Sequence, residues 1–115
     1  MVSRPWVPAA GDIITINFNP QSGYEQAGQR PGLVISEATY NSKAGLALIC
    51  PITNQVKGYP FEVAIPPGQK ITGVVLADQL KCLDWKSRQA KPIAVVGRVV
   101  LAEVRQRLRL ILGIK

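Results

Sequence analysis

Between two apolar runs the chain reads Gly23-Tyr24-Glu25-Gln26-Ala27-Gly28-Gln29-Arg30-Pro31-Gly32, which gathers one carboxylate, two amides and one arginine among three glycines. A carboxylate beside an arginine can take up a proton and neutralise a developing negative charge. Glycine lets a backbone approach a ligand closely, and Pro31 biases Arg30 toward an extended conformation at the mouth of the next strand. The flanking runs, Asp12–Phe18 and Leu33–Ser36, are strand-like. Polar loops held between rigid strands are where chemistry usually lives.

Two further polar groups fall where apolar runs end. One is Pro51-Ile52-Thr53-Asn54-Gln55, with Lys57 just beyond, and the other is Asp78-Gln79 after Val74-Val75-Leu76-Ala77. Each residue also has a structural reading. Glu25 can be a solvated loop acid, Thr53 can cap a turn, and Asp78 can satisfy backbone amides at a strand end. Arg30 could tie its loop down through carbonyls, yet it is the one for which chemistry is preferred on its own. Trp85 lies among Lys81, Lys86, Arg88 and Lys91. It could stack a base while the cations hold phosphates, or anchor the edge of the fold; the two readings weigh the same. Trp6, Tyr24, Tyr40 and Tyr59 are read as core or rim.

The chain has no histidine, which removes the commonest acid/base and the commonest metal ligand together. Its carboxylates form no cluster dense enough for a metal, so no metal or other cofactor is expected. Catalysis must then rest on carboxylate, hydroxyl, amide or cationic groups. Cys50 and Cys82 have no metal spacing and are expected as buried free thiols.

The elements that must position these groups are short strands. Ile14, Ile16 and Phe18 alternate along Asp12–Phe18; Gly32–Ser36, Leu46–Thr53, Phe61–Ile65, Gly73–Gln79 and Ile93–Val99 complete the predicted set. Glu37–Gly45 could hold a short helical turn, and Leu83–Ala90 reads as a loop. Leu101, Val104, Leu108, Ile111 and Leu112 recur at helical spacing, with Arg105, Arg107 and Arg109 outside the stripe. Glu103 and Arg107 form an i,i+4 pair, and Gly113 fits a C-terminal cap. The fold class is mainly β with one C-terminal helix, bent into a small barrel. With 115 residues and 47% hydrophobic side chains, residues 1–115 are expected to form one domain.

Fourteen Lys and Arg against seven Asp and Glu give a formal charge of +7, which favours a polyanionic or acidic partner. Met1–Gly11 has no apolar signal core, and no apolar run nears the roughly 20 residues that span a bilayer. A cytoplasmic protein without membrane contact is expected.

Taken together, the segments Gly23–Pro31, Tyr40-Asn41, Pro51-Ile52-Thr53, Lys57-Gly58-Tyr59-Pro60-Phe61-Glu62-Val63, Gly73–Gln79 and Asp84-Trp85 resemble the MazF/PemK-type toxins. These are the endoribonuclease halves of bacterial type II toxin–antitoxin pairs. The Lys57–Val63 segment is more similar to the MazF branch. The resemblance implies an SH3-like, CcdB-type barrel, a homodimer, and metal-independent cleavage of single-stranded RNA by its own 2′-OH. That route leaves 2′,3′-cyclic phosphate and 5′-OH ends. It implies catalytic roles for Arg30, Thr53 and Glu25, and control by an acidic MazE-like antitoxin. Amide and polar groups in the matching loops, Gln26, Gln29, Asn54, Gln55, Lys57, Asp78 and Gln79, are the candidate RNA readers. Trp85, Lys86 and Arg88, with Lys57, are the candidate antitoxin contacts. Gln29 replaces a histidine of some relatives, and Leu76 an arginine of the PemK branch, so no histidine-based proton scheme carries over. The competing functions are a gyrase-poisoning toxin, a non-catalytic RNA- or protein-binding barrel, and an inactive relic.

Overall fold

Ile13, Ile14 and Ile16 are all fully enclosed. Successive side chains of a strand point to opposite faces, so the first strand is covered on both sides. In the computed structural model, which describes residues 5–18 and 28–114, that strand is β1 (Asp12–Asn17). It is followed by β2 (Gln29–Val34), α1 (Ala38–Ala44), β3 (Ala47–Thr53), β4 (Glu62–Ala64) and β5 (Val74–Leu76). A 3₁₀ turn (Ala77–Gln79), β6 (Lys81–Leu83), β7 (Lys91–Val95) and α2 (Arg98–Leu112) complete the order.

The strands form one seven-stranded sheet in the order β4-β5-β3-β2-β1-β7, with β6 also paired to β3. All pairings are antiparallel. One long edge of β3 is shared. Its first half pairs with β6 (Ala47 opposite Leu83, Ile49 opposite Lys81) and its last two residues with β5 (Ile52 opposite Val75, Thr53 opposite Val74). The 3₁₀ turn carries the chain from one partner to the other. No pairing among the described strands closes the sheet, so the mainly β class holds while the closed barrel is not observed.

Two cores result. Ile13, Leu33, Cys50, Ile52, Val63 and Val75 pack against Val100 and Val104 of α2 on one face. Ile14, Ile16, Val34, Ile49, Leu83 and Trp85 form the other, with Trp6 and Phe18 along its margin. Each aliphatic side chain so buried contributes about 1.5–3 kcal/mol. Gly113 caps α2 as expected, its N–H directed at the Arg109 and Leu110 carbonyls.

Several boundaries differ from the sequence reading. β2 begins at Gln29 rather than Gly32, because Gln29, Arg30 and Pro31 pair with Asn17, Ile16 and Thr15. The segment read as Ile93–Val99 divides into β7 and the first turn of α2, with Val96-Gly97 between them. The run Gly73–Gln79 leaves the strand after Leu76. β6 has no counterpart in the sequence reading, whose loop starts at Leu83; it is a three-residue strand, too short to show a period. The buried stripe of α2 is Val100 and Val104, with Leu101 and Leu108 half-buried, whereas Ile111 and Leu112 face out at 44% and 63% exposure. Arg107 does not bond Glu103: its Nε donates to the Pro60 carbonyl at 3.0 Å. Arg105 instead forms an ion pair with Glu37 at 3.1 Å. Cys50 is buried as expected but Cys82 is exposed, because its side of β6 faces away from the core. Burial, then the nearby Asp78 charge, pushes the Cys50 thiol up to about 12.

Candidate functional site

On the β2–β3 ladder Leu33 faces Cys50 and Gly32 faces Pro51. Two residues beyond that last pair on each strand, Arg30 and Thr53 line one concavity together with Phe18, at the margin of the second core. Gly32 makes this arrangement possible. A Cβ there would lie 2.6 Å from Ile49 Cγ2 and 3.1 Å from Phe18 Cζ, so only glycine lets those side chains close beneath Arg30. Gly73 does the same for Thr53. At φ +116°, a side chain on it would come within 2.3 Å of the Thr53 carbonyl oxygen.

Arg30, Thr53, Gln79 and Lys81 line a concavity of about 250 Å³ with Phe18, Pro51 and Ile52. Among the described residues it holds two cations, Arg30 and Lys81, and an apolar floor. The Arg30 side chain is exposed and makes no hydrogen bond or ion pair to another described residue, and its planar fork matches the geometry of an anion such as phosphate. The Thr53 hydroxyl oxygen accepts the Gln55 N–H at 3.1 Å, which leaves its single proton to donate outward.

A second concavity of about 240 Å³ adjoins the first, sharing Thr53 and Gln79. Gln55, Lys57, Tyr59, Glu62, Leu76 and Asp78 complete it. This lining is mixed in charge and rich in hydrogen-bonding groups, unlike the cationic basin beside it.

Of the residues picked from the sequence, the structure therefore brings together Arg30, Thr53, Gln55, Lys57, Asp78 and Gln79. Others fall elsewhere. Glu25 and Gln26 lie outside the described residues. Gln29 alternates to the opposite side from Arg30, where its Nε2 donates weakly to the Arg88 carbonyl at 3.5 Å. Asn54 is engaged by Thr72, whose hydroxyl donates to its Oδ1 at 3.0 Å. Trp85 is only 5% exposed. Its indole N–H donates to the Asn41 carbonyl at 3.0 Å, and its ring meets Trp6 edge-on. That makes it an anchor of the second core, the structural one of its two sequence readings. Arg88 is likewise committed, donating to the Asn17 and Phe18 carbonyls at 3.2 and 3.4 Å. Lys86 is exposed, with its ammonium 5.4 Å from the Trp85 ring centroid.

Sequence reasoning passed over Lys81, Tyr59 and Glu62 as site residues. Lys81 was counted only among the charges around Trp85, because nothing in a three-residue strand shows which way it faces. Tyr59 and Glu62 stood in a recognisable segment, but no side-chain role followed from it. Among the described residues, no group of three or more His, Cys, Asp or Glu could hold a metal ion.

An antiparallel sheet thus sets an arginine, a threonine and a lysine around one basin, beside a second, polar cavity. The chain belongs to the PemK-like, MazF-like toxins of type II toxin–antitoxin systems, whose family model matches residues 9–112. It is 44% identical over 113 residues to the endoribonuclease toxin MazF of Escherichia coli K12, covering 98% of this chain and 100% of that protein. Identity to the Escherichia coli endoribonuclease PemK is 34% over 106 residues, with 89% and 80% covered, so the MazF branch is the more similar. The crystal structure of Deinococcus radiodurans MazF superposes with a TM-score of 0.87 at 50% identity, covering 96% of this chain and 100% of that one. A MazE–MazF complex from the same organism gives 0.86 at 45% identity, over 96% and 100%. The family is one of RNA-cleaving enzymes.

Proposed function

We propose that this chain is a sequence-specific endoribonuclease toxin that cuts single-stranded RNA without a metal. The observation that carries the reading is the meeting of Arg30 and Thr53 on one cationic basin. In this reading residues 1–115 act as one domain in the cytoplasm, two copies pair, and RNA lies across them.

The reaction joins O2′ to phosphorus and breaks the bond from phosphorus to O5′. Because the nucleophile belongs to the substrate, proximity supplies much of the rate. Arg30 binds the non-bridging oxygens in a bidentate manner and stabilises the charge that grows on the phosphorane. Thr53 donates its hydroxyl proton to the same group. Glu25 takes the 2′-OH proton, and the departing 5′-oxygen takes one from solvent water. No histidine is needed for any of these steps.

The control of the toxin follows from charge. A subunit of formal charge +7 attracts RNA. It attracts the acidic, apolar-containing tail of a MazE-like antitoxin in the same way, and the tail would order as it binds.

The test is to incubate purified protein with a long RNA in EDTA and to map the ends. Cleavage leaving 5′-OH and 2′,3′-cyclic or 3′-phosphate termini is expected. Ends bearing 5′-phosphate, loss of cleavage in EDTA, or binding without cutting would each overturn the reading.

A further inference from the structure

We propose that Glu62 is a positioning residue that sets which RNA sequence is cut, by fixing the loop that walls the second cavity. The inference rests on the RNA-cleaving reading above. Both oxygens of Glu62 are committed to backbone: Oε2 accepts the Lys57 N–H at 3.0 Å and Oε1 the Gly58 N–H at 2.9 Å. The Glu62 N–H in turn donates to the Tyr59 carbonyl at 3.1 Å, which closes a tight bend. Arg107 fastens the far side of that bend to α2 through the Pro60 carbonyl.

This braced segment carries Gln55, Lys57 and Tyr59 to the cavity wall, opposite Asp78 and Gln79. Tyr59 is exposed, with the Lys57 ammonium 6.0 Å from its ring centroid. An aromatic face, an ammonium, two amides and a carboxylate are the groups that stack an unpaired base and read its edge. At about 240 Å³ the cavity suits one base rather than a drug-sized ligand, whose pockets begin near 300 Å³. Thr53 and Gln79 also line the phosphate basin, so a base held here places a neighbouring phosphate at Arg30.

Two converging N–H donors require a side chain that only accepts. A carboxylate does so; a carboxamide turns its NH₂ toward one of the two donors. Glu62→Gln therefore releases half of the clamp with almost no change of size, and the loop it shapes loosens.

The experiment maps cut sites and kcat/KM for wild type, Glu62→Gln and Arg30→Ala on one long RNA and on matched and mismatched short RNAs. Urea midpoints and amide exchange at Lys57 and Gly58 are followed in parallel. For Glu62→Gln, the ratio of matched to mismatched kcat/KM should fall about tenfold or more, chiefly through KM. The Lys57 and Gly58 amides should exchange faster while the urea midpoint holds. Arg30→Ala should lower all sites together. If wild type cuts RNA and Glu62→Gln keeps the same site ratios, the inference is overturned. If wild type does not cut, it is the parent reading that fails. Should Glu62→Gln not fold, wild-type exchange decides: protected Lys57 and Gly58 amides that slow further with an uncleavable 2′-deoxy analogue support the clamp. Amides whose exchange the analogue leaves unchanged overturn it.

Discussion

Arg30 on β2 and Thr53 on β3, each two residues beyond the last pair of the β2–β3 ladder, Gly32–Pro51, line the same basin. Each is held by its own strand pairing, Arg30 opposite Ile16 of β1 and Thr53 opposite Val74 of β5.

Arg30→Ala should lower cleavage by about 10²–10³-fold, the usual cost of removing one electrostatic stabiliser. The side chain is exposed, so the urea midpoint should hardly move. Arg30→Lys should not restore activity, since an ammonium lacks the planar fork. Single-turnover assays on a short RNA check both, and near wild-type cleavage by Arg30→Ala would reject the assignment.

Lys81 shares the basin with Arg30 but lies on a different strand. Lys81→Gln should weaken RNA binding at every sequence alike and reduce the slope of log K against log salt by about one. Titrations over a range of salt concentrations would expose an unchanged slope, in which case Lys81 does not touch phosphate.

Gly73→Ala forces a side chain onto positive φ and against the Thr53 carbonyl. Loss of more than about 1 kcal/mol in stability is expected, and the residual folded enzyme should cut slowly because Thr53 is displaced. Urea denaturation alongside cleavage at low temperature separates the two effects.

Trp85→Ala should cost about 3–5 kcal/mol, as removal of a buried tryptophan does. Trp85→Phe should fold better but still lose the bond to the Asn41 carbonyl. A variant that kept its stability while losing RNA or antitoxin-peptide affinity would return Trp85 to the binding surface.

The Asp84 carboxylate is held below its ordinary value of 3.8, chiefly by the Ser87 N–H and with lesser help from the Ser87 hydroxyl, the Lys86 N–H and the charge of Arg88, which together outweigh the opposing effect of desolvation. Its folded pKa being the lower one, its stabilisation is complete above about 3.8 and drains away as pH falls through the folded value. The Ser87 amide resonance should therefore shift in acid, below pH 3.8, in wild type but not in Asp84→Asn.

The parts of this fold that a reader of the sequence recovers are those with a period. Phe61, Val63 and Ile65 alternate inward as expected, and the apolar runs around Leu33 and Cys50 are strands. Three-residue strands such as β6 carry no period, so Lys81 could not be aimed. Trp85 and Arg88 show a different limit. A tryptophan among cations suits either stacking or anchoring, and only the Asn41, Asn17 and Phe18 carbonyls, distant in sequence, decide for anchoring. Gly32 and Gly73 were visible as glycines, but the atoms that exclude a side chain there belong to other strands.

The hand-over of the β3 edge from β5 to β6 has a consequence for how such an enzyme can diversify. In the gap between the two partners, Asp78 and Gln79 are exposed and hold up no rung of the sheet. Arg30 and Thr53, by contrast, belong to strands that the ladder fixes in place. On the proposed reading, residues that choose the message can thus be exchanged without disturbing those that sever it, and one scaffold can be readdressed to a new vocabulary while its blade stays in position.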